Sequence, residues 1–151
     1  MSIVEESIDV QVPVRTAYNQ WTQFESFPLF MEGVEQVEQQ SDDTLKWVAE
    51  IGGKKKEWTA EITEQHPDHR VAWTSREGAR NAGAVTFHKL SENESKVMLQ
   101  LEYEPDGPVE TAGDAVGLVK MRVKGDLERF KEFIESQGGR TTGAWRGEIN
   151  N

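Results

Sequence analysis

Cysteine is absent from this 151-residue chain. That excludes disulfides, thiolate nucleophiles and cysteine-ligated metals together. No apolar run approaches the length of a bilayer span, so no integral membrane segment is expected. Cations are the minority: 17 lysines and arginines stand against 27 aspartates and glutamates, a formal charge of −10. Such a surface repels a phosphate backbone, and no nucleic-acid partner is expected. There is neither a glycine-rich phosphate loop nor a serine nucleophile elbow, and no cofactor is implied. The opening residues MSIVEESIDVQV lack the basic and apolar regions of a signal peptide, so the expected location is cytoplasmic. At this length one hydrophobic core is the natural outcome, and residues 1–151 read as a single domain.

What is present falls into two periodicities. Residues 3–12 alternate at Ile8, Val10 and Val12 and read as a strand that Pro13 ends. Val14, Ala17, Tyr18, Trp21 and Phe24 then recur at helical spacing. Ser26-Phe27-Pro28 interrupts that helix, and LFMEGV reads as a second short helical turn ended by Gly33. From residue 34 to 105 the period is two, broken by turns at Ser41-Asp42-Asp43, Gly52-Gly53 and Pro67-Asp68. This predicts about six strands in an antiparallel meander. Residues 109–136 return to helical spacing, with Val116, Val119, Val123, Leu127, Phe130 and Ile134 as the stripe and Gly138-Gly139 as the stop. The fold class is therefore α+β. A curved sheet of about seven strands wraps a long C-terminal helix, the only element large enough to cover its apolar face.

Five aromatics, Trp47, Trp58, Trp73, Phe87 and Tyr103, fall on one predicted sheet face. They either fill a core or line a cavity between sheet and helix. Gly113, Gly117 and Gly125 on the helix favour space or close approach there, since each costs roughly 1 kcal/mol against alanine. The run Lys54–Lys56 beside Trp58 suggests an anion site at first sight. The acidic whole instead makes it a solvated hairpin shoulder that discourages edge pairing. QHPDHR brings His66, Asp68 and His69 together at a turn without enough ligands for a metal, so no metal site is expected. Inward polar groups are few: Ser75, Tyr103 and Glu6. Tyr103, with Ser75 as hydrogen-bond partner, is the only candidate catalytic pair. The tail from residue 140 to 151 is expected to pack on the domain, Trp145 covering apolar surface and Arg146 meeting acid.

Four segments, VPVRTAYNQWTQFESFPLFMEGVEQVEQ, KKEWTAEITEQHPDHRVAWTS, GAVTFHKL and VKGDLERFKEFIESQG…TGAWRGEI, resemble the polyketide cyclase/dehydrase-like members of the START/SRPBCC superfamily. They resemble in particular the small bacterial proteins related to coenzyme-Q-binding proteins. The resemblance spans about residues 3–149, and Trp21 to Met31 is its most specific block. It implies the helix-grip fold, like that of START and birch-pollen-allergen proteins, with two short helices after the first strand. It also implies a deep apolar cavity over the long helix. The expected lining is Phe27, Phe30 and Met31 from the specific block, Trp47, Trp58, Trp73, Ser75, Phe87 and Tyr103 from the sheet, and Val116, Val119 and Val123 from the helix. Aromatic polyketide cyclases resembling this chain direct a tyrosine and a strand arginine into the cavity. Here Val34 stands near the tyrosine's place, the strand offers Trp58, Ala60 and Ile62, and Arg76 falls on the outer face.

The expected function is binding or transport of a small hydrophobic ligand: a lipid, a quinone or a polyketide-like aromatic. The alternative is an aromatic polyketide cyclase/dehydrase, and a third reading is an interaction module acting through the tail. The aromatic, ionisable-poor inward set favours a non-catalytic binder. A small apolar ligand is the expected partner, and a homodimer is compatible with the sequence.

Overall fold

The computed structural model of the chain describes residues 2–51, 53–104 and 109–150, with the side chains of residue 51 and residues 109–116 left aside. The element order is β1 (Ser2–Val10), α1 (Val14–Trp21), a 3₁₀ helix (Phe24–Leu29), β2 (Val34–Gln39), β3 (Thr44–Ile51), β4 (Lys54–His66), β5 (Arg70–Gly78), β6 (Asn81–Ser91), β7 (Glu94–Tyr103) and α2 (Val109–Ser136). The seven strands form one antiparallel sheet in the order β1-β7-β6-β5-β4-β3-β2. The segment of α1 and the 3₁₀ helix thus carries the chain from one sheet edge to the other.

Local irregularities bend the sheet. The β4–β5 register slips twice, between Thr59 and Ala60 and between Ile62 and Glu64, and each bulge adds curvature and twist. The second slip also moves the inward phase of β4, so that Gln65, not an apolar residue, is buried beyond Ile62. In the concavity lies α2, 28 residues long. Its buried side is the expected stripe: Val119, Val123, Leu127, Phe130 and Ile134 are all buried. The side chain of Val116 and the surroundings of Gly113 lie outside the described residues. Gly117 projects into open space and Gly125 is crossed by the Arg129 guanidinium. Of the two alternatives their helical cost suggested, Gly117 is compatible with open space, and neither glycine makes a close backbone approach.

The first short helices differ in detail from expectation. The second turn is not at LFMEGV but a 3₁₀ helix over Phe24–Leu29, with Pro28 inside it. Proline is tolerated because Phe30 and Met31 both donate to the Phe27 carbonyl, so no bond of this turn needs the N–H that residue 28 lacks. The first strand ends at Val10. Val12 is still buried, its carbonyl accepting from the buried Ser95 hydroxyl at 3.0 Å.

The tail lies back across α1 and the β4–β5 turn. Gln65 and Ile149 exchange backbone hydrogen bonds of 2.8 and 2.9 Å. Thr142 and Gln20 pair through both backbone and side chain, and the Trp145 N–H donates to the Thr22 hydroxyl at 3.0 Å. Arg146 reaches Asn19 at 2.6 Å and Asp68 at 2.8 Å, with its guanidinium over the Tyr18 ring. The Asp68 turn is therefore clasped, not simply exposed. Asp68 holds a positive φ of 66°, a conformation aspartate adopts more readily than most residues.

Candidate functional site

Inside the curl the molecule has two ends of different character. At one end aromatic rings close on each other. Trp21 meets Phe130 with centroids 5.1 Å apart, Phe30 meets Phe130 at 5.2 Å, and Tyr18 meets Phe87 at 5.3 Å, all edge to face. At the other end the sheet and the middle turns of α2, from Val119 to Leu127, stand apart around a cavity of about 680 Å³. Small-molecule sites commonly span about 300–1,000 Å³.

The cavity wall gathers eight of the expected residues: Phe27, Met31, Trp47, Trp58, Trp73, Tyr103, Val119 and Val123. Phe30 and Phe87, expected in the wall, belong instead to the closed end. Each is 3% exposed and packed among rings of α1, α2 and the 3₁₀ helix. Alternation along β6 put Phe87 on the correct face but carried no information on which end α1 covers. Ser75 is also outside the wall. Its hydroxyl accepts the Asn81 backbone N–H at 3.0 Å, so it is not the hydrogen-bond partner of Tyr103.

The three wall tryptophans are held differently. Trp47 and Trp58 face each other across β3 and β4 and stack with centroids 5.7 Å apart and planes 8° from parallel. Trp73 lies flat over Gly83, its cross-strand partner, where any side chain would strike the indole or the Gln100 carbonyl. Its Nε1–H donates to Asn81 Oδ1 at 3.0 Å. The Nε1–H groups of Trp47 and Trp58 and the hydroxyl of Tyr103 are buried with no partner among the described residues. Burial pushes the Tyr103 phenol above its usual range, so it remains a neutral O–H at ordinary pH.

The rim is charged. It is built where the β3–β4 hairpin, the β5–β6 turn and the end of β7 converge, and it includes Lys55, Lys56, Glu57, Arg80 and Glu104. Lys55 faces solvent and pairs with Glu35 at 3.4 Å, and Lys54 is exposed, as expected of a hairpin shoulder. Lys56 departs from that expectation: it is half-buried in the cavity wall. The reason is alternation itself, since position 56 shares the phase of Trp58.

Two polar wall residues come from α2 and were not foreseen, Arg122 and Asp126. They flank the Val119–Val123 stripe, and helical phase alone would have placed them at its border. Asp126 accepts from Arg129 and from the Glu32 N–H at 3.2 Å. Its burial raises the carboxyl above the usual aspartate range, while Arg129, the Glu32 N–H and Arg122 pull the other way. Arg122 lies against Gly33, where an added methyl would collide with the guanidinium and the Glu50 carbonyl. Val34, also in the wall, presents no hydroxyl. Arg76 stays on the outer face, bound to Glu61 at 2.9 Å. Among the described residues no three side chains gather as metal ligands.

The chain matches the model of a known family, polyketide cyclase/dehydrase and lipid transport, over residues 10–132. The chain belongs to that family. A relative from Streptomyces lincolnensis, described as an uncharacterised 17.2 kDa protein in the melC2-rnhH intergenic region, is 59% identical over 150 residues, covering 99% of both chains. Two solved structures share the architecture. A START superfamily protein of Mycobacterium smegmatis gives a TM-score of 0.75 at 12% identity, over 89% of this chain and 98% of that one. The Zhui aromatase/cyclase of a Streptomyces species gives 0.75 at 15% identity, over 95% and 99%. At such identities the likeness shows the fold alone, which is the helix-grip fold of START proteins. Among the described residues of this family member no helix is long and apolar enough to cross a membrane.

Proposed function

We propose that this family member binds and carries a small hydrophobic ligand, a lipid, quinone or polyketide-like aromatic, in the cavity between sheet and α2. The observation that carries this reading is the wall itself, about 680 Å³ of space bounded by Trp47, Trp58, Trp73, Phe27, Met31 and the valines of α2. Apolar surface of that kind gains free energy at roughly 25 cal/mol per Å² when a ligand covers it. The polar groups inside are few, as befits a site that orients a greasy ligand by one end. Neither member of the expected catalytic pair supports proton transfer: Tyr103 is a neutral phenol pushed up by burial and the Ser75 hydroxyl is engaged by the Asn81 N–H, while the wall carboxylate Asp126 is held by Arg129.

The test is native mass spectrometry of protein purified from its own host. The expected result is an added small-molecule mass that is lost on denaturation. A bare chain, together with unaltered tryptophan fluorescence on titration with apolar probes, would overturn the reading.

One observation favours a second reading, an aromatic polyketide cyclase/dehydrase: the Tyr103 hydroxyl is buried in the cavity region without a partner among the described residues. Such a group can donate to a ketone oxygen as charge develops on it. Turnover of a poly-β-ketone that is unchanged in Tyr103→Phe would remove Tyr103 from that role.

A further inference from the structure

We infer that the cavity selects a hydrophobic acid, an apolar body ending in a carboxylate that Arg122 receives at the open end. The inference rests on the ligand-binding reading above and names the chemistry of that ligand's polar end.

Three observations converge. First, Arg122 stands in the cavity wall, and among the described residues no carboxylate lies within ion-pair distance of it. Asp126, four residues along α2, feels the Arg122 charge, but its hydrogen bonds go to Arg129 and the Glu32 N–H. Gly33 leaves the room that the guanidinium occupies, so the arginine is seated in a gap in the backbone packing, not waving in solvent. A guanidinium at the edge of a low-dielectric hollow attracts an anion more strongly than one in bulk water, and its planar fork suits a carboxylate.

Second, the unpartnered buried polar atoms associated with the wall are all able to donate. Trp47 and Trp58 each offer an indole N–H, which cannot accept, and Tyr103 offers a phenolic O–H. Leaving such donors buried and unmatched costs free energy. A ligand bearing acceptor oxygens can relieve that cost at all three, whereas one whose polar end offers only donors leaves both indole N–H groups unmatched.

Third, among the described residues the two rim carboxylates are either engaged or outward. Glu104 pairs with Arg80 at 3.7 Å, and Glu57 is exposed. The described part of the rim therefore opposes an anion less than the surface of a chain of charge −10 otherwise would.

The test compares dodecanoic acid, its methyl ester and dodecanol. Each is titrated at neutral pH into the full chain and into Arg122→Gln and Arg122→Lys, with tryptophan fluorescence as the readout. The acid is expected to bind the native chain about tenfold more tightly than the ester, the order of a charge-assisted contact. Arg122→Gln should remove that preference while leaving ester and alcohol binding unchanged, and Arg122→Lys should keep part of it. Equal binding of acid and ester by the native chain would overturn the inference while sparing the cavity reading. So would an equal loss for all three ligands in Arg122→Gln. Failure of all three ligands to bind would count against both.

Discussion

The closed and open ends of this molecule are made of the same material, aromatic side chains on a sheet and a helix, yet they do different things. At the closed end Phe130 and Ile134 are fully buried, and Trp21, Phe30 and Phe87 are within a few per cent of it. Ring meets ring there and no space remains. At the open end Trp47, Trp58, Trp73 and Tyr103 are only partly buried, and all four line the cavity. The difference does not lie in residue type. It lies in what α1 and the 3₁₀ helix cover: Trp21, Phe27 and Phe30 plug one end of the curl, Trp21 and Phe27 forming the floor of the cavity that stays open at the other. One end carries stability, and the other has surplus apolar surface available for binding.

Mutations at the two ends should separate these roles. The largest effect is expected from Phe130→Ala, which deletes a fully buried ring packed edge to face against Trp21 and Phe30. A loss of about 3–5 kcal/mol in denaturant unfolding is anticipated. Trp58→Ala should cost much less, about 1 kcal/mol for the lost stack with Trp47, but should weaken uptake of apolar probes by tenfold or more. If the two substitutions cost the same stability, the contrast between the ends is wrong.

Arg146→Ala should fall between these in mechanism and below Phe130 in size. It frees Asp68 and Asn19 and lifts the cation from the Tyr18 ring, for about 1–2 kcal/mol of stability, with probe binding unchanged because the tail docks away from the cavity. Loss of probe binding in that variant would mean that the tail and the open end are coupled.

The smallest effect concerns Glu135. Burial works to raise its carboxyl, but Lys131 and the Gln11 N–H outweigh it and hold it below the ordinary 4.5. A carboxyl depressed by folding contributes stability above its unfolded value and loses it as pH falls through the folded one. Glu135→Gln should therefore cost a few tenths of a kcal/mol at neutral pH. The difference from the native chain should vanish in acid below the ordinary glutamate range. A gap that persists there would assign the effect to packing instead.

Much of the architecture was legible in the residues. Alternation at Trp47, Trp58 and Trp73 and the three-four stripe from Val119 to Ile134 follow from strand and helix geometry. The order of elements left few ways to bury both apolar faces. The site was legible in part. Phase told which residues face inward, but not how far along the curl each one sits, so Phe30 and Phe87 fell at the plugged end. Lys56 was readable from its phase with Trp58 and was obscured by the charge of its neighbours. Arg122 carried only a weak signal, a cation on the border of the helical stripe. Its meaning depends on Gly33, nearly ninety positions earlier.

By itself, then, the amino-acid order determined the elements, their inward faces and the pairing of a curled sheet with a long helix, because periodicity is a local property of the backbone. Tertiary structure alone decided that one end is solid and the other hollow, that Ser75 answers to Asn81 and not to Tyr103, and that Arg122 rests against Gly33. Those outcomes depend on distances between segments remote in sequence, which bulges in β4 and the seating of α1 set and no local pattern encodes.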